Sequence, residues 1–260
     1  MAEIVPFLLL GAFSGFIAGL LGVGSGLIMV PALLYLLAGS TDQTVLMHTA
    51  VGTALAAMVF TSISSVWAHH RHGAIHWHNF KKLTPTILLG AFSGALLTKV
   101  MSFDFMRLFF ALFEFSVATI MYFGLSSSAH IDNLSKWMWR ITGYIIGLIS
   151  AILGIGGGTM TTPFLTYNNV DIKNAIATSA AVGMPIAVAG ALGFIVVGWD
   201  VESTSGGLGF IHTQALMSIV VASVFFAPLG AKVAHSVDGK KLKKFFAIFL
   251  AFLGLSVISF

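Results

Sequence analysis

The chain has 260 residues, of which 57% are hydrophobic and only 8% charged, and its formal net charge is +4. That composition excludes a soluble globular domain and points to an integral membrane protein with no separate soluble domain. Cysteine is absent, which excludes a disulfide framework and thiolate metal ligation, and no basic stripe or motif for nucleic acid accompanies the small positive charge.

The opening residues, MAEIVPFLLLGAFSGF, lack the basic region and small-residue cleavage site of a secretory signal, so residues 4–21 read as the first helix of the mature protein. It runs into GVGSG (22–26), and a short helix over 27–38 follows, with Pro31 inside it. Three long apolar stretches come next, at 44–68, 82–101 and 105–123. Each is near the length, about 20 residues, that a helix needs to cross a hydrocarbon core of roughly 30 Å. After the polar segment LSSSAHIDNLSK (125–136) the pattern restarts: a helix at 137–153, GIGGG (154–158), a short helix at 159–167 with Pro163, and long helices at 172–197, 211–234 and 242–259.

The restart is a repeat. One offset matches Gly11 with Gly143, Gly15 with Gly147, Gly22 with Gly154, Gly24 with Gly156, Gly26 with Gly158 and Pro31 with Pro163. Further on, AVGTA (50–54) matches AIATS (175–179), and Gly94 with FFALF (109–113) matches Gly230 with FFAIF (245–249). Order is kept while loop lengths drift, as in a duplication of roughly 125 residues. The expected organisation is a first transmembrane repeat over 1–124, a cytoplasmic linker over 125–136 and a second repeat over 137–260.

Lysine and arginine set the orientation. Arg71, Lys81 and Lys82 lie between the first two long helices, Lys136 and Arg140 at the joint, and Lys240, Lys241, Lys243 and Lys244 between the last two. All can face the cytoplasm only if each repeat crosses an odd number of times, which makes the repeats inverted and puts both termini outside the cytoplasm. The loop with Asp200 and Glu202 then also falls outside, and Lys99 and Arg107 are the exceptions, partly offset by Asp104. Three long spans plus a pair of segments entering and leaving by one face satisfy the count, as do five crossings. The expected fold is therefore an all-α polytopic membrane protein of two inverted-topology repeats, each with a glycine-broken helix pair and three long transmembrane helices.

The glycine breaks carry the functional signal. Amides freed by a helix break cannot stay unpaired in hydrocarbon, so such breaks survive only inside protein or along a watery cavity. Glycine permits positive φ and a close main-chain approach to a ligand. The helix that starts just after it turns free N–H groups, and about half a positive charge, back toward the break. The expected occupant is an anion near the membrane middle, held by the amides of Gly24, Ser25, Gly26, Gly156, Gly157 and Gly158 as two inverted helix starts approach from opposite faces.

Four stretches, GLLGVGSGLIMVPAL (19–33), HTAVGTALAAMVFTSISSVWAHHRHGAIHW (48–77), AILGIGGGTMTTPFL (151–165) and NAIATSAAVGMPIAVAGALGF (174–194), together resemble the sulfite exporter TauE/SafE family of bacterial membrane transporters. The resemblance covers essentially the whole chain. It implies export of sulfur oxyanions or organosulfonates across the bacterial cytoplasmic (inner) membrane. The chain departs from the usual family pattern at Ser25, where a third glycine is common, and at Ala54, where a serine is common.

Thr53, Thr178 and Ser179 stand at equivalent places near the start of the first long helix of each repeat, where hydroxyls can bond an oxyanion without burying a charge; the alternative is a bond back to their own helix. Glu114 lies deep in an apolar run, where an ionisable group marks function by default, and is a proton-coupling candidate beside His48 at a helix start near the membrane surface. His69, His70, His72, His76 and His78 suggest a membrane metalloenzyme as an alternative, but they share one loop with no acidic residue among them and read better as a cytoplasmic interfacial loop. Pro185 interrupts a long helix and offers a hinge. The reading is a transporter, not an enzyme, with no cofactor or metal, exporting small anions such as sulfite or sulfonates by alternating access; a passive anion channel is the alternative within transport.

Overall fold

The computed structural model describes residues 4–21, 24–124, 134–201, 207–234 and 239–260. Most of the linker (125–133), Gly22 and Glu202 lie outside the described residues. Among the described residues there are ten α-helices: α1 Ile4–Leu21, α2 Gly26–Leu37, α3 Gln43–Arg71, α4 Trp77–Leu97, α5 Phe103–Phe123, α6 Lys136–Leu153, α7 Gly158–Tyr167, α8 Ile172–Val197, α9 Thr213–Ala234 and α10 Gly239–Ser259. A 3-10 turn, Thr98–Val100, follows α4.

Helix starts are written in the sequence. Asp42 and Asp171 cap the equivalent helices α3 and α8, accepting the N–H of Thr44 at 2.8 Å and of Lys173 at 3.0 Å; Ser102 and Ser135 cap α5 and α6 in the same way. Hydropathy alone places several ends too far inward. α3 runs on to Arg71, whose guanidinium stacks over Trp67 at 4.1 Å, α4 begins at Trp77, and α10 takes in a lysine-rich turn. Polar helix ends project beyond the hydrocarbon and carry no apolar signal.

Among the described residues, five helical stretches are long and apolar enough to cross a membrane: α3, α4 with its 3-10 turn, α5, α8 and Thr213–Gly230 of α9. The apolar parts of α1 and α10 are shorter. The bundle's outer surface is greasy; Phe225 is 72% exposed and Leu9 and Phe252 66% each, which only lipid can cover. α2, with 12 residues, and α7, with 10, measure about 18 and 15 Å at 1.5 Å per residue, half of a hydrocarbon core.

Glycines let the helices close. A Cβ on Gly11 or Gly15 would strike the backbone of α9 at Ile219 or Ser223, and one on Gly230 the backbone of α1 at Phe16. Likewise Gly143 and Gly147 lie against Leu83 and Ile87 of α4, and Gly94 against Leu148 of α6. α3 and α8 form the centre, with Gly52 on Phe194 and Gly190 on Leu55; α2 packs on α3, α7 on α8, and α5 on α10.

The broken helix pairs return to the end they came from. Phe7 of α1 sits 6.1 Å from the His212 ring, just before α9, and Thr41 and Asp42, which follow α2, share a cavity wall with His212. At the opposite end, Trp139 of α6 lies 5.0 Å from Lys82 of α4, and Asn174, just after α7, meets His76 at 3.2 Å. These are the Asp42 end and the Arg71 end of the bundle.

Candidate functional site

In the first break Gly24 adopts φ +87°, a conformation that costs other residues about 1–2 kcal/mol. Ser25 then returns to the right-handed region (φ −82°), and its carbonyl accepts the N–H of Ile28 at 3.1 Å and of Met29 at 2.9 Å. In the second break Gly154 (φ +71°) closes α6 and Gly157 (φ +67°) opens α7; the Gly157 carbonyl accepts the N–H of Met160 at 3.1 Å and of Thr161 at 2.8 Å. The first N–H groups of α2 and α7 have no acceptor within their own helices.

The breaks meet. A Cβ on Gly24 would lie 3.3 Å from the Gly156 nitrogen, one on Gly156 3.7 Å from the Gly24 Cα, and one on Gly26 against the Gly154 carbonyl. Around them is a cavity of about 40 Å³, large enough for water. Its walls include Gly24, Ser25, Gly156, Gly158 and Ser179, together with the hydroxyl-bearing stretch of α3 at Thr61, Ser62 and Ser65. Among the described residues no lysine, arginine or carboxylate lines it.

Buried hydroxyls gather at the breaks without partners. Ser25 Oγ in the first, and Ser150 Oγ, Thr159 Oγ1 and Thr161 Oγ1 around the second, have no hydrogen-bond partner among the described residues. Ser150 Oγ would be 3.3 Å from a Cβ on Gly157. Each buried unpaired hydroxyl costs about 1–3 kcal/mol, so such groups mark places where water or a ligand completes the bonding; of the four, Ser25 lines the cavity.

The other residues singled out by sequence fall in different places. Gly26 and Gly157 are buried and do not line the cavity. Ser179 donates to the Ile176 carbonyl at 2.8 Å and accepts from Thr162 at 2.7 Å, so its proton is in use. Thr53 and Thr178 are fully buried but do not line the cavity. Their hydroxyls accept backbone N–H groups from the other half of the chain, Thr53 from His212 and Thr178 from His76, both at 2.9 Å. Glu114 is 0% exposed on α5 beside Gly254 of α10, and neither carboxyl oxygen has a partner among the described residues.

His48 is not at a solvated surface. It is 6% exposed, its ring lies 5.0 Å from Phe210, and its Nε2 is 2.9 Å from the Thr98 carbonyl. A carbonyl only accepts, so Nε2 carries the proton and Nδ1 is a bare acceptor without a partner among the described residues. The histidines of the α3–α4 loop are spread out: His70 packs edge-on to Trp77 at 5.5 Å and His76 meets Asn174. No three His, Asp or Glu side chains gather among the described residues.

A second cavity, of about 180 Å³, lies at the Asp42 end between Asp42, Thr44, Thr49, Phe210 and His212. Hydrogen bonds from the Thr44 hydroxyl and N–H hold the exposed Asp42 carboxyl below its usual range. Burial holds His212 below the usual imidazole range, which agrees with its Nδ1 accepting the Ala215 N–H at 3.2 Å. Sequence reasoning missed the α3 hydroxyls, although TSISS (61–65) was a visible polar island in an apolar run.

The model of the sulfite exporter TauE/SafE family matches residues 7–257. The chain belongs to the sulfite exporter TauE/SafE family. Family relatives include a probable membrane transporter protein of Haemophilus influenzae, 36% identical over 96% of both chains. Another, YdhB of Bacillus subtilis, also named a probable membrane transporter protein, is 30% identical over 91% of both, and one from Methanocaldococcus jannaschii is 25% identical over 98% of this chain and 96% of its own length. No solved structure matches this TauE/SafE chain. Membership makes it a multi-pass membrane transporter.

Proposed function

We propose that this protein exports small sulfur-containing anions such as sulfite or organosulfonates across the bacterial cytoplasmic membrane, by alternating access around a midplane site between the glycine breaks. The observation that carries the reading is the union of both breaks in one cavity, walled by main chain and hydroxyls, the unpartnered Ser25 Oγ among them, and free of fixed charge among the described residues. The amides of Gly24, Ser25, Gly26, Gly156, Gly157 and Gly158 supply the donors, as helix N-termini do for anions elsewhere. Ser179 adds a hydroxyl once its bond to the Ile176 carbonyl is released, whereas Thr53 and Thr178 serve by anchoring loops.

The contacts support two inverted repeats, 1–124 and 137–260, joined by a linker at 125–136. Gly11 meets Ile219 and its counterpart Gly143 meets Leu83; Gly15 meets Ser223 and Gly147 meets Ile87; Gly230 meets Phe16 and Gly94 meets Leu148. Such twinned contacts are what a twofold axis generates. The counterparts α3 and α8 pair Gly52 with Phe194 and Leu55 with Gly190, so they run antiparallel and the axis lies in the membrane plane. Arg71, Lys81, Lys82, Lys136 and Arg140 share one end, which the positive-inside rule makes cytoplasmic. Both termini fall at the other end: Phe7 is near His212, and Phe260 packs on Tyr35 at 5.2 Å.

Gly52, Thr53 and Phe210 form a packed layer between the two cavities, which favours alternation over a passive channel. Glu114 and His48, each buried with an unpartnered polar atom, are the groups for coupling to protons; Glu114→Gln should leave counterflow intact and abolish pH-driven accumulation. The central test is uptake and counterflow in proteoliposomes with labelled sulfite, thiosulfate, sulfoacetate and acetate. Saturable transport of a sulfur anion, lost in Gly157→Val, is the expected result. Equal carriage of every anion by both proteins would refute the site.

A further inference from the structure

Two loops share one four-residue pattern, Gly73-Ala74-Ile75-His76 before α4 and Gly209-Phe210-Ile211-His212 before α9. Both glycines are left-handed, at φ +63° and +58°. Both isoleucines are buried. Each histidine N–H is tied at 2.9 Å to a threonine of the other repeat, His76 to Thr178 and His212 to Thr53. Each loop is thus pinned across one end of the α3–α8 pair that flanks the glycine cavity.

The loops differ at their second residue. Phe210 is 6% exposed, lies tilted against the His48 ring, sets its carbonyl over Gly52 and its ring beside Gly198, and forms part of the floor of the outer cavity. Its counterpart Ala74 is half-buried and fills none of that volume; beside it Ile75 packs on Ala177 and Ala181. α3 records the same asymmetry. Every residue from Leu46 to Met58 is buried, and none from Ser62 to Arg71 is. The glycine cavity follows suit, extending along α3 as far as Ser65 toward the Arg71 end.

We propose that these loops are the two gates of the transport path and that Phe210 is the plug of the gate at the Asp42 end, while Ala74 leaves the Arg71-end gate without one. The inference rests on the reading of the glycine cavity as the transport site. Opening the Asp42 end requires breaking the Thr53–His212 bond and withdrawing an aromatic ring from a packed layer. At the Arg71 end the Thr178–His76 and Asn174–His76 contacts and the packed Ile75 must give way, with a methyl group where the other loop has a phenyl ring. The protein therefore rests open toward the Arg71 end, and a solute from that side loads first.

The chain has no cysteine, so a single introduced thiol reports access without background. Met58→Cys places one on the cavity wall, and Ser40→Cys and His72→Cys mark the two ends, both positions being exposed. With a membrane-impermeant anionic methanethiosulfonate, Met58→Cys should react at least tenfold faster from the His72 side than from the Ser40 side. Adding Phe210→Ala should raise the Ser40-side rate at least tenfold, and Ala74→Phe should lower the His72-side rate by a similar factor. Equal rates from both sides in the parent, or an unchanged Ser40-side rate in folded Phe210→Ala, would overturn the proposal. If Phe210→Ala does not fold, Ala74→Phe decides, and an unchanged rate there rejects the gate. The labelling needs no substrate, so a protein that shows these rates but carries no sulfur anion loses the substrate assignment and keeps the gates.

Discussion

The break after α1 and the break after α6 turn the chain back with different backbones. Among the described residues, the first is left-handed at Gly24 and starts the next helix from Ser25 in ordinary geometry, whereas at the two matching positions the second is left-handed at Gly157 and not at Gly156. The first therefore has room for a side chain, and Ser25 uses it to bring a hydroxyl to the cavity. What the breaks share is main chain, which points to amides as the constant part of the site and to side chains as additions. Substitutions rank this difference.

The largest effect belongs to Gly157→Val. A branched residue at φ +67° that also meets Ile186 combines left-handed strain with overpacking, so saturable uptake should fall roughly a hundredfold or to background. Gly24→Ala carries strain of about 1–2 kcal/mol and a tight approach to the Gly156 nitrogen at 3.3 Å, and should cost about tenfold in the same assay. Ser25→Ala keeps the amide and removes one hydroxyl worth about 1 kcal/mol, raising KM about fivefold, while Ser25→Gly should restore a break of the second type with a similar modest penalty. A Ser25→Ala defect exceeding that of Gly24→Ala would reverse the ranking and make the side chain primary.

The smallest effect lies at the end of the bundle to which the first break leads. Burial keeps His212 neutral, and its Nδ1 lone pair caps α9 through Ala215. The unfolded chain takes up a proton near pH 6.5 that the folded ring resists, so this contribution is present above that pH and is lost as pH falls through it. The unfolding temperature of the parent should drop between pH 7.5 and pH 5.5, and by less in His212→Asn. An equal drop in both would assign the pH dependence to other groups.

The all-helical membrane fold was legible because membrane chemistry leaves long apolar runs, and the glycines and prolines that recur along the sequence mark its breaks and close contacts. Boundaries slipped at α3, α4 and α10, where polar turns extend past the hydrocarbon. The glycine breaks were legible because their left-handed backbone requires a residue type. Thr61, Ser62 and Ser65 were not, since hydroxyls in apolar helices commonly bond their own turn, as Thr61 does to Ala57 at 3.0 Å. Thr53 and Thr178 have the spacing of site residues, yet their partners are amides in loops far away in the sequence. The burial of His48 was not legible because the Phe210 ring beside it belongs to the other half of the chain.

A cavity wall without fixed cations offers dipoles but no countercharge to travel with the solute. A monovalent anion carried alone through it would move net charge, and an interior held negative would then favour its exit by about 2.3 kcal/mol per 100 mV. Voltage by itself could drive such efflux, and an arginine placed at Ser62 would forfeit that push by holding the anion in place.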